Sequence, residues 1–209
     1  STKAYSTQMA IFYLLALRLG LLRNTLHPTE AALLTAALQE QMPQSVEDSL
    51  ALRPFCKRIA MGLKETQQLF YIGRGVDYAL SLEGSLKMKE ISYISSQACA
   101  AGELKHGTLA LITPGVPVIA TVTQNILTAK AISNIREVQA RGGKIILLAP
   151  EKSPAETVCV DRLPIPDLPD WLRPFPAAVL FQLLAYETAL VRGCDVDRPR
   201  NLAKSVTVE

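Results

Sequence analysis

The 209-residue sequence has few of the side chains that build metal centres or covalent cross-links. It contains four cysteines and two histidines. The cysteines lie far apart and form no CxxC pair; they are Cys56, Cys99, Cys159 and Cys194. In a chain of this size that pattern indicates reduced thiols, a cytosolic setting and no metal site. We therefore expect a cytoplasmic protein without a bound metal.

Long apolar runs and a strong excess of charge of one sign are also missing. The longest apolar run, residues 9–17, ends at Arg18 and is about half as long as a membrane span. The net charge is +3, charged residues make up 20% of the chain, and the basic residues are scattered. Composition therefore predicts neither a membrane protein nor a nucleic-acid-binding protein. It is compatible with an anionic substrate.

Two further sequence signals are absent. There is no signal-peptide pattern, and the chain opens on Ser1, directly in a helical pattern, so we expect a piece of a longer protein. The glycines of Gly73-Arg74-Gly75 follow an apolar strand, but the third glycine of a GxGxxG motif would stand where the chain has Tyr78. We therefore expect no nicotinamide cofactor.

Helical patterns fill the first third of the chain, and strands alternate with helices after it. The patterns predict helices over residues 1–22, 29–42 and 45–63, the second ended by Pro43 and the third bent near Pro54. They then predict strands over residues 69–72, 116–122, 144–149 and 158–165, and helices over residues 77–94, 127–141 and 177–192. Such alternation is typical of an α/β fold with a parallel sheet and helices on both faces.

Three charged residues share one face of the predicted helix 77–94. Glu83, Lys87 and Glu90 stand at positions i, i+4 and i+7. One interpretation is a salt-bridged face turned to solvent. The other is catalytic: moving a proton between C1 and C2 of a sugar through an enediol needs one carboxylate near both carbons and a cation beside it.

One of the two histidines lies in a polar turn. His106 precedes Gly107 at the end of the segment GELKHG, where a side chain can reach a cleft. His27 stands in a loop beside Pro28 with no motif around it. An imidazole can shuttle a proton between the ring oxygen and the anomeric hydroxyl of a cyclic sugar near neutral pH. A purely structural histidine is the alternative.

The last fifteen residues, DVDRPRNLAKSVTVE, carry a lysine among small and apolar neighbours. Lys204 follows Leu202 and Ala203 and precedes Ser205 and Val206. Apolar surroundings lower the pKa of a lysine and leave its free amine available as a nucleophile, which a Schiff base requires. The alternative is a surface lysine on a tail that docks by its valines.

Several motifs occur in the order in which a known enzyme family has them. They are STKAYSTQ, YIGRG, the segment EGSLKMKEISYI, AGELKHG, ARGG, QLLAY and the final PRNLAKSVTVE. Over most of its length the chain resembles the isomerase half of the glutamine:fructose-6-phosphate amidotransferases. AGELKHG is shared more widely with sugar-isomerase (SIS) proteins, whereas the ending is specific to the amidotransferases.

The resemblance implies a three-layer α/β/α sandwich of the SIS type. Residues 1–42 would be helices left from a first SIS domain, residues 43–193 a complete second one, and residues 194–209 an active-site tail. The family's glutaminase domain and its Ser/Thr-rich phosphate loops have no match in the sequence. We therefore expect the chain by itself to be inactive. The resemblance also implies no cofactor, and a homodimer with a shared active site.

The resemblance further implies a role for each matching residue. Glu90 would transfer the proton and Lys87 would assist it. His106 would be donated by the neighbouring subunit, and Lys204 would open the ring of fructose 6-phosphate as a Schiff base. Substrate contacts would come from Ser1, Ala203 and Arg200, and the ammonia passage would be lined by Ala203 and Val206. One departure is Thr108, where relatives usually have proline.

Two other functions remain open from the sequence. A sugar-phosphate deaminase or deglycase with two SIS domains would share the fold and Glu90 but should lack the ending LAKSVTVE. A non-catalytic SIS module that senses a sugar phosphate need not keep Glu90, His106 and Lys204 together, and this chain has all three.

Overall fold

Apolar strands alternate with helices along most of the chain, and the computed structural model arranges them in three layers. The structure describes residues 2–201. Within that range the strands are β1 (Gln68–Gly73), β2 (Ser95–Ala100), β3 (Pro117–Thr121), β4 (Lys144–Pro150) and β5 (Asp161–Ile165). The α-helices are α1 (Thr2–Leu22), α2 (Pro28–Ala51), α3 (Arg53–Leu63), α4 (Val76–Ser92), α5 (Thr128–Gln139) and α6 (Pro174–Val191). The expected α/β architecture is confirmed.

The five strands form one parallel sheet in the order β2-β1-β3-β4-β5. The inner strands β1, β3 and β4 are buried along almost their whole length, as expected for strands that helices cover on both faces. Tyr71 faces one apolar cluster and its neighbours Phe70 and Ile72 face the other. The sheet therefore separates two cores.

Each face of the sheet is covered by its own helices. The first core joins the sheet to α3, α4 and α6, through side chains such as Ile59, Met88 and Phe181. The second core joins it to α5, through Ile135 and Val138. The carboxyl end of α4 consequently lies beside the amino ends of the strands, because α4 runs back from the end of β1 to the start of β2.

Two of the sequence-based element predictions are wrong. Strand β2 was not predicted, because SSQACA lacks the β-branched and aromatic residues that mark strands. Helix α2 does not end at Pro43 but continues to Ala51. Pro43 and Gln39, whose carbonyl loses its helical N–H donor, are both exposed, so the missing hydrogen bond falls on the solvent side of the helix. The chain then turns at Leu52 into α3.

Helix α1 packs loosely against the rest of the molecule. It has no fully buried residue, and its main attachment is Tyr13, whose hydroxyl donates to the carbonyl of Trp171 at 2.5 Å. The Tyr13 ring lies 5.2 Å from that of Phe175. By length and composition alone, α1 and α6 could each cross a membrane, but 72% of the apolar window of α6 is buried. The apolar composition of α6 is therefore that of a core helix.

Candidate active site

The centre of the candidate site is the charged face of α4. The Lys87 ammonium lies 2.5 Å from Oε2 of Glu90 and 3.9 Å from Oε1 of Glu83. The side chains of Lys87 and Glu83 are only 7% and 9% exposed, whereas that of Glu90 is 31% exposed. The interpretation of a face turned to solvent is therefore wrong for two of the three residues. Glu90 is the carboxylate that a ligand can reach.

The buried carboxyl of Glu83 differs chemically from Glu90. Burial raises the pKa of Glu83 above its usual range, Lys87 lowers it and Glu90 raises it. Among the described residues, Oε1 of Glu83 has no hydrogen-bond partner. Lys87 thus lies between a desolvated carboxyl and a partly exposed one, and its much shorter contact is to Glu90. This arrangement fixes the Glu90 carboxylate with one cation beside it.

Local sequence explains how this face is held in place. Gly84, next to Glu83, packs on the sheet so closely that a Cβ there would lie 2.8 Å from Tyr71 and 2.9 Å from Phe181. Those two rings meet edge to face, with centroids 5.3 Å apart. The helix can therefore approach the sheet only because this position has no side chain. Gly84 therefore determines how closely the charged face of α4 lies against the sheet.

His106 lies away from this face within the same chain. It ends a 3₁₀ turn, Ala101–His106, that follows the carboxyl end of β2, whereas Glu90 is in the last turn of α4, beside the amino ends of the strands. Its side chain is 76% exposed, and Nε2 lies 3.7 Å from Oε2 of Glu103. Among residues 2–201 no hydrogen bond links His106 to α4. The structure does not bring these two predicted site residues together in one chain.

Thr108 does more than replace a proline. Its hydroxyl donates to the thiol of Cys99 at 3.4 Å, which ties the start of a second 3₁₀ turn, Thr108–Leu111, back to β2. The preceding Gly107 has φ 140°, a backbone angle that favours glycine. The turn that carries His106 is therefore anchored on its far side by a contact that proline could not make.

Of the other predicted site residues, the structure describes only Arg200. Ser1, Ala203, Lys204 and Val206 lie outside the described residues. Arg200 lies inside, with its guanidinium carbon 4.0 Å from the ring centre of Tyr93 and its backbone N–H donating to the Tyr93 hydroxyl at 2.9 Å. Tyr93 directly follows α4. Arg200 is thus close to the end of the helix that carries Glu90.

Sequence reasoning missed a buried polar network at the opposite edge of the sheet. Both carboxylate oxygens of Asp77 accept hydrogen bonds from Thr123, one from its backbone N–H at 3.0 Å and one from its hydroxyl at 2.5 Å. Arg173, which is 6% exposed, donates to the Thr123 carbonyl at 2.7 Å and pairs with Asp170. The one local signal is an aspartate two residues after the Gly73-Arg74-Gly75 turn, and its partners lie too far along the chain for a local pattern to indicate them.

This network occupies the crevice where parallel sheets usually bind ligands. In a sheet of this order the crevice lies at the carboxyl ends of β1 and β3. Here Gln124 donates to the Arg74 carbonyl at 2.8 Å and Arg74 donates to Asn134 at 2.8 Å, so the groups there bind one another. Within residues 2–201 no three His, Cys, Asp or Glu side chains gather as a metal site would require. The α4 face is the remaining candidate for chemistry.

Comparison with known proteins supports the fold and the motifs together. Residues 62–192 match the family model of the SIS domain. The chain belongs to the SIS domain family. It is 50% identical over 210 aligned positions to the glutamine–fructose-6-phosphate aminotransferase [isomerizing] of Symbiobacterium thermophilum. That alignment covers 100% of this chain and 34% of the relative, so the chain spans about a third of the relative's length.

Solved SIS structures extend the comparison. The C-terminal domain of a glucosamine-fructose-6-phosphate aminotransferase from Francisella tularensis aligns with a TM-score of 0.90 and 35% identity, over 95% of this chain and 56% of that one. A glucosamine-6-phosphate deaminase from Thermotoga maritima aligns with a TM-score of 0.60 and 24% identity, over 79% and 49% of the two chains. The second likeness shows a shared fold alone. The expected SIS-type sandwich is confirmed.

Proposed function

We propose that this SIS chain is the isomerase part of a glutamine–fructose-6-phosphate aminotransferase, which would make glucosamine 6-phosphate and glutamate from fructose 6-phosphate and glutamine. The observation that carries the proposal is 50% identity across the whole chain to a relative of that name. The buried Lys87 ammonium, paired with the partly exposed Glu90, agrees with it, because a stable fold does not require a buried charge on a covered helix face.

The proposed proton transfer belongs to Glu90. Its carboxylate would take a proton from C1 of the open-chain sugar and return one to C2, while the Lys87 ammonium 2.5 Å away holds the carboxylate in place. Glu83, with its raised pKa, would hold Lys87 from the buried side. The exposure of Glu90 supports this assignment, since a general base must reach the proton that it removes.

The remaining roles would come from Arg200, from His106 and from residues outside the described range. We propose that Lys204 forms a Schiff base with fructose 6-phosphate, that Ser1, Ala203 and Arg200 contact the sugar phosphate, and that Ala203 and Val206 line an ammonia passage. His106 would open the sugar ring in the active site of a second subunit. Its exposure at the opposite edge of the sheet supports a homodimer, because within one chain it lies away from Glu90.

The domain division is part of the same proposal. Residues 1–42 would belong to a first SIS domain, residues 43–193 to a second and residues 194–209 to the active-site tail. An apolar groove of about 630 Å³ between α1, α2 and Trp171 supports this division, because apolar patches of that kind usually face another part of a protein. The four unpaired cysteines agree with the proposed cytoplasmic location.

A chimaera tests the proposal. This chain would replace the matching carboxyl-terminal third of the Symbiobacterium thermophilum relative, and the product would be assayed with fructose 6-phosphate and glutamine. We expect glucosamine 6-phosphate at a rate within about tenfold of the unaltered relative, and none from the 209-residue chain alone. A folded chimaera that hydrolyses glutamine but makes no glucosamine 6-phosphate would contradict the proposal, and release of ammonia from glucosamine 6-phosphate as its only activity would favour the deaminase.

A further inference from the structure

We infer that Tyr93 is a positioning residue that clamps the start of the carboxyl-terminal segment beside the Glu90 face of α4. The Tyr93 hydroxyl accepts the backbone N–H of Arg200 at 2.9 Å, and its ring carries the Arg200 guanidinium at 4.0 Å. One side chain thus holds both the backbone and the side chain of the same residue, 107 positions further along the chain. The catalytic meaning of this clamp rests on the function proposed above; the clamp itself does not.

The backbone of Tyr93 is in a conformation that tyrosine rarely adopts. Its φ is 60° and its ψ is 18°, the left-handed conformation that ends many helices. Glycine or asparagine would make this turn with less strain. The turn therefore does not need a tyrosine, and the side chain carried on this strained backbone makes the two contacts with Arg200. Strain of this kind persists where surrounding contacts hold it.

The chain between α6 and Arg200 is also held in place. After α6 ends, the Arg192 guanidinium donates to the carbonyls of Ser92, Lys64 and Thr66 at 2.5 to 2.9 Å. The Asp195 carboxylate then accepts the N–H groups of residues 197 and 198, both at 3.0 Å. Arg192 thus binds Ser92, the last residue of α4, and Arg200 binds Tyr93, the residue after it. The segment is therefore attached at the end of α4 at two successive points.

The distance between the clamp and the candidate site fits this role. Glu90 precedes Tyr93 by three residues, about 4.5 Å along a helix axis. Lys204, outside the described residues, follows Arg200 by four, which an extended chain spans in at most about 14 Å. From an anchor at Tyr93, the lysine is therefore within reach of the Glu90 face. Without that anchor the nearest attachment is Arg192, twelve residues before Lys204 in the sequence.

The first test measures the clamp in the 209-residue chain. Tyr93→Phe removes the hydroxyl, Tyr93→Asn removes the whole ring but suits the left-handed turn, and Tyr78→Phe is the same change in the first turn of α4. We expect amide hydrogen exchange at Arg200 to quicken at least tenfold in Tyr93→Phe and further in Tyr93→Asn, and to stay unchanged in Tyr78→Phe. Unaltered exchange at Arg200 in Tyr93→Asn would overturn the clamp.

The second test measures its consequence in the chimaera. We expect Tyr93→Asn to lower kcat for glucosamine 6-phosphate formation about tenfold or more, and Tyr93→Phe to give a kcat between those of Tyr93→Asn and the unaltered chimaera. In Tyr93→Asn the rate of glutamine hydrolysis should stay within twofold and the unfolding midpoint should be nearly unchanged. A faster-exchanging tail with unchanged kcat would overturn the positioning role while the proposed function stands. An inactive unaltered chimaera would instead refute the proposed function, and the exchange experiment would still decide the clamp.

Discussion

At the scale of single residues, the two carboxyls that lie one helical turn before and one turn after Lys87 have different surroundings. Glu83 is desolvated and its pKa is raised, whereas Glu90 is partly exposed and lies 2.5 Å from the ammonium. The spacing of these residues was readable from the sequence, since positions i, i+4 and i+7 share a helix face. Which carboxyl is buried was not readable, because that depends on Gly84 bringing one side of α4 against the sheet.

Replacing Glu90 tests the proposed base directly. In the chimaera, we expect Glu90→Gln to lower the interconversion of fructose and glucose 6-phosphates by roughly 10²–10⁴, because the amide keeps the size of the side chain but cannot accept the proton. Glutamine hydrolysis is the internal control, and Glu47→Gln, an exposed position on α2, is the matched variant. An isomerisation rate within threefold of the unaltered chimaera would return the residue to a purely structural role.

Asp77 predicts a pH dependence of stability. Burial raises its pKa from 3.8 to about 6, although hydrogen bonds from Thr123 oppose the shift. The folded state therefore holds this proton up to a higher pH than the unfolded state. The resulting stabilisation is complete below about pH 4 and is lost as pH rises through 6.

Comparing the wild type with Asp77→Asn separates the contribution of Asp77 to stability from those of other titrating groups. Between pH 7 and pH 5 we expect the free energy of unfolding of the wild type to rise by about 1 kcal/mol relative to Asp77→Asn. Urea unfolding at the two pH values measures it, and the subtraction cancels groups such as Glu83 that both proteins share. A difference that stays constant or changes sign would mean that the Thr123 hydrogen bonds outweigh burial.

At the scale of elements, the fit between α4 and the sheet rests on one missing side chain. We expect Gly84→Ala to destabilise the fold by about 1–3 kcal/mol, because its Cβ would overlap the fully buried Tyr71 and Phe181. Gly62→Ala on α3 is the matched variant, since a Cβ there has nothing within 4 Å. That change should be neutral or stabilise by about 0.5 kcal/mol. Equal midpoints for the two variants in urea would show that α4 can move away from β1.

Most elements were predictable because their apolar spacing matches a helix or a strand. The exceptions have tertiary causes. Strand β2 lies at the sheet edge and consists of Ser, Gln, Ala and Cys. Its extended conformation therefore depends on pairing with β1 and not on the strand preference of its own residues. Pro43 ends a helix in isolation, but here packing of Leu38 and Ser45 on either side keeps the helix continuous. The buried polar network around Asp77 and Arg173 joins residues far apart in sequence, which no local pattern indicates.

At the scale of the whole molecule, the apolar outer face of α1 departs from an ordinary protein surface. Its large apolar side chains are 49–69% exposed: Ile11, Phe12, Leu14, Leu15, Leu19 and Leu22. Contiguous exposure of this kind drives association. We expect the 209-residue chain to self-associate at micromolar concentration in sedimentation velocity, and Ile11→Gln with Leu15→Gln to raise the monomer fraction.

The control for that experiment is an apolar residue of similar size outside the patch. Ile126 is 89% exposed on a short 3₁₀ turn, so Ile126→Gln should leave the sedimentation profile unchanged. If both variants dissociate the chain equally, general surface hydrophobicity rather than the α1 face is responsible. A wholly monomeric wild type would show that α1 does not mediate association in this chain.

The division of the interior into two cores also sets an order of events during synthesis. The core on the α5 face needs no residue beyond Cys159, whereas the core on the α4 face needs Phe181, Leu184 and Ala185 of α6. At about 5–20 residues per second, the ribosome adds the stretch from Cys159 to the end of α6 in roughly 2–6 s. For that interval one side of the sheet can be finished while the other has α3 and α4 but still lacks α6. A chaperone acting on the nascent chain would find its binding surface in that gap.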